Sequence, residues 1–200
     1  MNSKIEEVKA QLLESSELKK RVADNLGSQI VEVAEVLIRC LRNGGKVLLC
    51  GNGGSAADAQ HIAGEISCRL RIERDGLPAI ALTTNTSVLT ALANDYSYDE
   101  VFLRQVKAIA REGDCLIGIS TSGASESVNL AVKQARELGV TTFGLTGRGG
   151  GTLARLVDSA LIIPSDDTQR IQEAHITVGH ILCDVIEREL FPQEDIPQRE

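Results

Sequence analysis

Two residues with acid–base and metal-binding side chains lie four positions apart on a predicted helix. His61 and Glu65 belong to an alanine-rich run without proline that predicts a helix over 55–71. Because residues four apart share a helix face, this imidazole and carboxylate can act on one proton or hold one metal ion. The same spacing is also typical of a surface ion pair, and it does not decide between these alternatives.

The glycine-rich segment before this helix, Gly51–Ser55, is suited to binding an anion. It follows a short apolar run, 46–50, that predicts a buried parallel strand. Glycines allow close backbone approach, and the free N–H groups and dipole of a helix N-terminus attract negative charge. Ser55 is predicted to cap the helix and to offer a hydroxyl to a ligand.

The same segment loosely fits a dinucleotide-binding fingerprint. That fingerprint requires an acidic residue at the end of the next strand, but the predicted strand at 78–83 runs into Thr84 and Asn85. A Walker loop is also excluded, because no Lys-Ser/Thr pair follows the glycines. The segment therefore indicates a smaller anionic ligand.

A second small-residue loop follows the predicted strand at 114–119. Four hydroxyl groups and a glycine lie within six residues, namely Ser120, Thr121, Ser122, Gly123 and Ser125. These can be ordinary turn residues. In an open parallel sheet, however, ligands bind where strand order reverses, so we expect the loops after strands one and three to flank one crevice. Hydroxyl and backbone N–H groups can hold a phosphate there without a cationic cluster.

Composition favours a single soluble domain that does not bind nucleic acid. The 200 residues are 42% hydrophobic and 24% charged, as in ordinary globular chains. A net charge of −7 and an aromatic content of 2% argue against phosphate-backbone binding and base stacking. Five scattered cysteines predict buried, reduced thiols in a cytoplasmic protein. No signal peptide or membrane-spanning run is recognisable, so we expect no membrane partner.

The remaining pattern predicts an α/β fold, with a five-stranded parallel sheet between two helical layers in a flavodoxin-like arrangement. Strands are predicted at 46–50, 78–83, 114–119, 140–145 and 159–163. Helices are predicted around 86–93 and at 97–111, 125–138, 152–156 and 169–190, the last capped within 166–168. We expect one domain over 1–200, with its core at 44–190 and a tail from Phe191 that frays.

Residues 1–43 predict extra N-terminal helices that precede the first strand. A break is predicted near Asn25–Ser28, so that two helices form. The second helix, 28–42, is apolar over more than one face, and such a helix is either central or covered by a partner. We expect this region to form a subunit interface.

In chain order, these segments resemble the sugar isomerase (SIS) domain family, and within it the phosphoheptose isomerases. The resemblance extends from the N-terminal helices to about Leu190. It rests on both loops, on His61 and Glu65, and on three further segments: Ala93-Asn94-Asp95, Leu145-Thr146-Gly147, and Arg170-Ile171-Gln172-Glu173 followed by His175 and His180.

The resemblance implies a role for each matching residue. The acid–base pair is matched by Glu65 and His180. The family's metal cluster, which usually holds one zinc ion per subunit, is matched by His61, Glu65, Gln172 and His180. The sugar phosphate is implied to contact Asn52, Gly53, Gly54, Ser55, Glu65, Asn94, Asp95, Ser120, Thr121, Ser122, Ser125 and Gln172. The family forms homotetramers with active sites at subunit contacts, so a homotetramer is implied here.

The reaction implied is a ketose–aldose isomerisation of sedoheptulose 7-phosphate to D-glycero-D-manno-heptose 7-phosphate, the first step towards ADP-heptose for lipopolysaccharide or other surface glycans. A proton moves between C1 and C2 through an enediol, which requires a base, an acid and a group that polarises the carbonyl. His175 lies about 140° around its helix from His180, so we expect it to be a packed or surface residue. Asp184 on the same helix is expected to be solvated.

Two alternatives place the same fold in other functional classes. One is a non-catalytic SIS protein that binds phosphosugars or serves as a platform associated with a replication initiator. The proteins of that group that resemble this chain lack the carboxylate and imidazole found here at Glu65 and His180. The other is a transcription regulator, but the N-terminal segment is neither basic nor a clear helix-turn-helix.

Overall fold

The computed structural model describes residues 2–192 and has a five-stranded parallel sheet at its centre. In chain order the strands are β1 Val47–Gly51, β2 Ala79–Ala81, β3 Cys115–Ser120, β4 Thr141–Thr146 and β5 Ser159–Ile162. Across the sheet, their order is β2-β1-β3-β4-β5. Every residue of β1 and β3 is buried, which explains why their sequences are continuous small or apolar runs rather than alternating patterns. The predicted α/β class is confirmed.

Within residues 2–192, seven α-helices cover the two faces of this sheet. They are α1 Asn2–Arg42, α2 Gly54–Ser67, α3 Thr86–Asp95, α4 Leu103–Ile109, α5 Glu126–Glu137, α6 Leu153–Leu156 and α7 Thr168–Leu190. One apolar core joins α1, α2 and α7 to one face of the sheet, and a second joins α4, α5 and α6 to the other. The predicted cap of the last helix is confirmed at Asp167, whose carboxylate accepts the N–H groups of Gln169 and Arg170.

The two predicted N-terminal helices form one continuous helix, α1, so the predicted break is wrong. Gly27 lies inside α1. A glycine within a helix costs about 1 kcal/mol relative to alanine. Leu26 and Ile30 on either side of it are buried in the core shared with α7, and this packing outweighs the cost.

The apolar side chains of α1 are divided between its two halves. Those of the second half, which are predicted to be central or covered by a partner, pack mainly within the chain, on α7 and the sheet, as Ile30, Val33, Leu37, Ile38 and Leu41 do. The first half carries exposed apolar side chains, namely Ile5, Val8, Leu12 and Leu13. An unpartnered apolar surface is therefore present, but at the beginning of α1.

The predicted helix at 97–111 is shorter than expected. A single 3₁₀ turn, Tyr98–Glu100, precedes α4. The two are separated by Val101 and Phe102, which are almost fully buried in the core beneath them. Both residues keep right-handed helical backbone angles, so the chain coils through this segment without forming one regular α-helix.

All five cysteines are free, in agreement with the prediction of reduced thiols. Cys68 is exposed, contrary to the expectation of burial, because it lies directly after the end of α2. Burial raises the pKa of Cys50 to about 12, so this thiol stays protonated. Of the helices described, none is both long and apolar enough to cross a membrane. The tail predicted to fray begins at Phe191, and its residues 193–200 lie outside the described range.

Candidate active site

The predicted acid–base and metal-binding residues meet where α2 crosses α7. The Nε2 atom of His61 lies 3.0 Å from that of His180 and 3.2 Å from Oε1 of Glu65. One ligand atom from each of these three residues lies within 4.8 Å of the others. The helices approach closely because Gly179 has no side chain, and a Cβ there would overlap Ile62.

This cluster has the composition of a metal site. Two imidazole nitrogens and a carboxylate oxygen are ligands that zinc accepts. The facing Nε2 atoms of His61 and His180 can share one proton or bind one cation, but two protonated rings would repel each other. The side chains of His61 and Glu65 are 46% and 24% exposed, so the cluster is accessible from solvent. The residues present therefore fit a zinc ion.

Gln172, the fourth predicted ligand, lies two turns before His180 on α7. Its amide is in contact with the first residue of α2, because a Cβ on Gly54 would overlap the Gln172 amide. This contact joins α7 to the glycine-rich loop. Coordination of the metal by Gln172 stays a prediction.

The glycine-rich loop begins α2 earlier than predicted. Ser55 donates its N–H to the carbonyl of Asn52 over 3.0 Å, and the helix starts at Gly54 with Gly53 as its N-cap. Gly53 has a φ of 55°, which favours glycine. Ser55 is therefore not the N-cap, and its side chain is buried inside the first turn. The prediction of its capping role is wrong because the cap lies two residues earlier, at Gly53.

Asn52 connects the glycine-rich loop to the second small-residue loop. Its side-chain amide donates to Ser125 over 2.7 Å and to Ser127 over 2.9 Å. Its side-chain oxygen, Oδ1, accepts a hydrogen bond from the hydroxyl of Tyr98 over 2.7 Å. These bonds show that the loops after β1 and β3 are in direct contact, and a ligand crevice between them stays a prediction. Sequence reasoning missed Ser127 and Tyr98, and only the repeated serine spacing after Gly123 offered a signal for the former.

Backbone contacts with the loop after β4 also hold the second loop in place. Gly123 has a φ of 63°, and a Cβ there would overlap the backbone of Gly150 in the loop after β4. Thr121 accepts the N–H of Gly147 over 3.2 Å. The Ser122 hydroxyl accepts the N–H of Ala124 over 3.2 Å, so its own hydrogen is free for a ligand. Ser120 ends β3 and is buried.

Asn94 and Asp95 lie exposed at the end of α3. The Asn94 amide donates to the Asp95 carboxylate over 2.8 Å. The 3₁₀ turn that begins at Tyr98 follows three residues later, and Tyr98 reaches Asn52. The end of α3 is thus close in sequence to a contact with the glycine-rich loop, and sugar binding by Asn94 and Asp95 stays a prediction.

A buried ion pair supports the helix turn that carries Glu65. The Arg74 guanidinium donates to Glu187 over 3.0 Å and to the carbonyl oxygens of Glu65, Ile66 and Cys68 at the end of α2. Burial alone raises the pKa of Glu187, but backbone N–H groups and Arg74 outweigh it and hold that pKa below its usual value. No local pattern in the sequence indicates this long-range pair.

Two further residues on α7 have clear positions. His175 is fully buried, which confirms that it is a packed residue and not part of the cluster. Asp184 is not solvated as predicted, because it forms ion pairs with Arg71 over 2.9 Å and with Arg188 over 3.0 Å.

On α2, burial raises the pKa of Asp58 to about 6, partly offset by nearby His61.

Comparison with known proteins agrees with this geometry. The SIS domain model matches residues 12–147. A phosphoheptose isomerase of Clostridium acetobutylicum is 53% identical over 94% of this chain and 96% of its own. The structure of a phosphoheptose isomerase from Neisseria gonorrhoeae superimposes with a TM-score of 0.86 at 48% identity, covering 91% of this chain and 97% of that one. For that from Francisella tularensis, the TM-score is 0.89 at 38% identity, covering 92% and 98%.

The histidine–glutamate cluster and the glycine-rich and hydroxyl-rich loops are the groups expected of an isomerase acting on a phosphorylated sugar. The high identity extends over nearly the whole length of both chains, so the likeness is not confined to one segment. The chain belongs to the SIS domain family and, within it, to the phosphoheptose isomerases.

Proposed function

We propose that this chain isomerises sedoheptulose 7-phosphate to D-glycero-D-manno-heptose 7-phosphate, the first step of ADP-heptose synthesis for surface glycans. The observation that carries the proposal is the cluster of His61, Glu65 and His180, whose ligand atoms lie within 4.8 Å of one another. The family likeness supplies the substrate, since the relatives are named phosphoheptose isomerases.

Glu65 and His180 are proposed as the acid–base pair. Glu65 accepts a proton from C1 of the ketose while His180 gives a proton to the carbonyl oxygen at C2, which produces the enediol. The aldose forms when the hydroxyl at C1 loses its proton to the imidazole and C2 receives the proton held by Glu65. General acid–base catalysis of this kind contributes on the order of 10²–10⁴ in rate.

Zinc is proposed as the metal, held by His61, Glu65, Gln172 and His180, and when bound it polarises the substrate carbonyl as a Lewis acid. The three clustered side chains fit this role because two imidazoles and a carboxylate suit zinc. Binding by Gln172 is supported by its place on α7, the helix that also carries His180. An amide is a weaker ligand than imidazole, so we expect the ion to exchange readily.

The phosphate and sugar are proposed to lie in the crevice between the two loops. Hydroxyls and free N–H groups after β3 would hold the phosphate, together with the start of α2. The hydrogen bonds of Asn52 to Ser125 and Ser127 support this placement, because they join the loops into one surface. The proposed contacts are Asn52, Gly53, Gly54, Ser55, Asn94, Asp95, Ser120, Thr121, Ser122 and Ser125, with Glu65 and Gln172 at the reacting end.

A homotetramer in the cytoplasm is proposed, with residues 1–43 as the oligomerisation segment and 44–190 as the core. The exposed apolar side chains on the first half of α1 support the assembly, since Val8, Leu12 and Leu13 are 57%, 67% and 69% exposed. The five free cysteines support a reducing compartment. Sedimentation at micromolar concentration tests the assembly, and a clean monomer would reject it.

The test of the activity is isomerisation of sedoheptulose 7-phosphate by the purified protein, before and after treatment with a chelator and again after zinc is added back. We expect turnover to fall on chelation and to return with zinc. A His61→Gln variant should bind zinc more weakly by calorimetry, whatever its turnover. Turnover that is unchanged by the chelator would reject the role of the metal but would remain consistent with the proposed acid–base pair.

Absence of turnover under every condition would reject the proposed reaction. A protein that still binds phosphosugars would then fit the alternative of a non-catalytic binding platform. Capture of a specific protein partner would be the next measurement in that case.

A further inference from the structure

Tyr98 makes a hydrogen bond at the phosphate crevice that the proposed reaction does not explain. Tyr98 is 54% exposed, yet its hydroxyl lies 2.7 Å from Oδ1, the side-chain oxygen of Asn52. We propose that Tyr98 is a positioning residue for the substrate phosphate: its hydroxyl fixes the Asn52 amide, which in turn makes Ser125 a donor towards the phosphate. This inference rests on the proposed function, because it assigns a residue to the same phosphate site.

The orientation of the Asn52 amide decides which way the neighbouring hydroxyl groups point. An amide has a donor end and an acceptor end, and a half-turn exchanges them. In the orientation present, the NH₂ group donates to Ser125 and Ser127. After a half-turn, both serines would have to donate to the amide oxygen instead, so their hydrogens would face Asn52 and not a ligand.

Tyr98 favours the productive orientation because a phenol is a better hydrogen-bond donor and a poorer acceptor than a serine hydroxyl, so it pairs best with the oxygen of the amide. In the part of the chain that the structure describes, the Tyr98 hydroxyl is the side-chain group that reaches this oxygen. An ionised phosphate accepts hydrogen bonds and needs donors around it. With Tyr98 donating to Asn52 and Asn52 donating to Ser125, the Ser125 hydroxyl can donate to an anion.

Ser125 is the residue that passes this orientation to the ligand. Its oxygen accepts from Asn52, and its other neighbour in the network is the Ser127 oxygen at 3.4 Å. With Asn52 donating to both serines, Ser127 can supply the hydrogen of their 3.4 Å contact, and the hydrogen of Ser125 can then point to a ligand. Ser125 is also the N-cap residue of α5, so the helix dipole favours an anion beside it. Ser127 is only 2% exposed and serves as an internal support.

Removal of the Tyr98 hydroxyl tests this role directly. In Tyr98→Phe we expect the dissociation constant of inorganic phosphate, measured by calorimetry, and the KM for sedoheptulose 7-phosphate to rise about three- to tenfold. We expect kcat to change less than twofold, because the hydroxyl does not reach the histidine–glutamate cluster. The melting temperature should stay within about 3 °C of wild type, since an exposed hydrogen bond contributes little to stability.

Tyr96→Phe is the matched control. Tyr96 is 55% exposed, and its ring packs under the Arg104 guanidinium, 3.8 Å from the ring centroid, without using its hydroxyl. This variant should bind phosphate as the wild type does. Equal losses in both tyrosine variants, or no loss in Tyr98→Phe, would overturn the proposal.

A double-mutant cycle tests whether Tyr98 acts through Asn52. In an Asn52→Ala background, Tyr98→Phe should produce no further loss of phosphate binding. The same loss in both backgrounds would overturn the route through Asn52. If phosphate binding depends on Tyr98 as described but the wild-type protein shows no turnover, the proposed function fails and the positioning role stands.

Discussion

Arg74 and Glu187 form a 3.0 Å ion pair that is almost closed to solvent, with 2% and 1% of their side chains exposed. Glu187 lies near the end of α7, and Arg74 belongs to the segment after α2. Three backbone N–H groups, from Leu70, Arg71 and Ile72, complete the partners of the carboxylate. The pair therefore fixes the two helices that carry the cluster relative to each other.

Glu187→Gln is expected to destabilise the protein by about 3 kcal/mol or more, because it leaves a buried guanidinium without its counter-charge. The control is Glu189→Gln, since Glu189 pairs with Arg42 at the surface and should contribute less than about 1 kcal/mol. Urea unfolding at neutral pH measures both. Equal unfolding midpoints for the two variants would contradict the role of the buried pair.

The same pair predicts acid sensitivity. The pKa of Glu187 is held below its unfolded value of about 4.3, so its stabilisation is complete above that pH and is lost as the pH falls through the folded pKa. The difference in unfolding free energy between wild type and Glu187→Gln should therefore narrow below about pH 4.

Glu65→Gln and His180→Gln should each lower kcat by at least about 10²-fold, because each removes a proton-transfer group. Both side chains are partly exposed, so the fold should be retained, as circular dichroism and melting temperature can show. Glu137→Gln on the exposed side of α5 is the control and should leave turnover unchanged. Wild-type rates in either active-site variant would refute the assignment.

Ser122→Ala should raise the KM for the phosphosugar about three- to tenfold, with a smaller effect on kcat, because one hydroxyl donor to the phosphate is lost. Steady-state kinetics over a range of substrate concentrations measures this. Ser16→Ala, at an exposed position of α1, is the matched control. A KM that does not change in Ser122→Ala would mean that the phosphate lies elsewhere.

His175 should make stability depend on pH in the acid range. Burial lowers its pKa to about 4, partly offset by the backbone of Thr146. In the unfolded chain the value is about 6.5, so its contribution is complete above that pH and is lost as the pH falls towards 4. The melting temperature of wild type should fall more steeply than that of His175→Gln between pH 6.5 and 4. Melting temperatures that fall equally in wild type and His175→Gln would contradict this role of His175.

The sheet and its two loops were predictable because their signals are local. The apolar runs of β1 and β3 and the small residues after them define strands and loops without knowledge of the fold. The pairing of His61 with Glu65 follows from helix spacing. The approach of His180 to His61 required the resemblance, because the two residues are 119 positions apart.

The features that sequence reasoning missed depend on tertiary contacts. Gly27 looked like a helix break, but the burial of Leu26 and Ile30 decides its conformation. The local sequence patterns around Arg74 and Tyr98 do not indicate their distant partners, which are Glu187 and Asn52. The turn at Gly53 places the cap two residues before Ser55, a shift that the local pattern does not indicate.

The crossing of α2 and α7 also has a consequence for biosynthesis. His61 is translated early, whereas His180 belongs to the last helix of the described chain. During translation, α2 can form on the ribosome with two of the three clustered side chains, His61 and Glu65, and the exit of α7 delivers the second imidazole together with Glu187, the partner of Arg74. Completion of the histidine–glutamate cluster and closure of the buried ion pair thus coincide, so a nascent chain acquires its chemistry only when α7 has packed on α2.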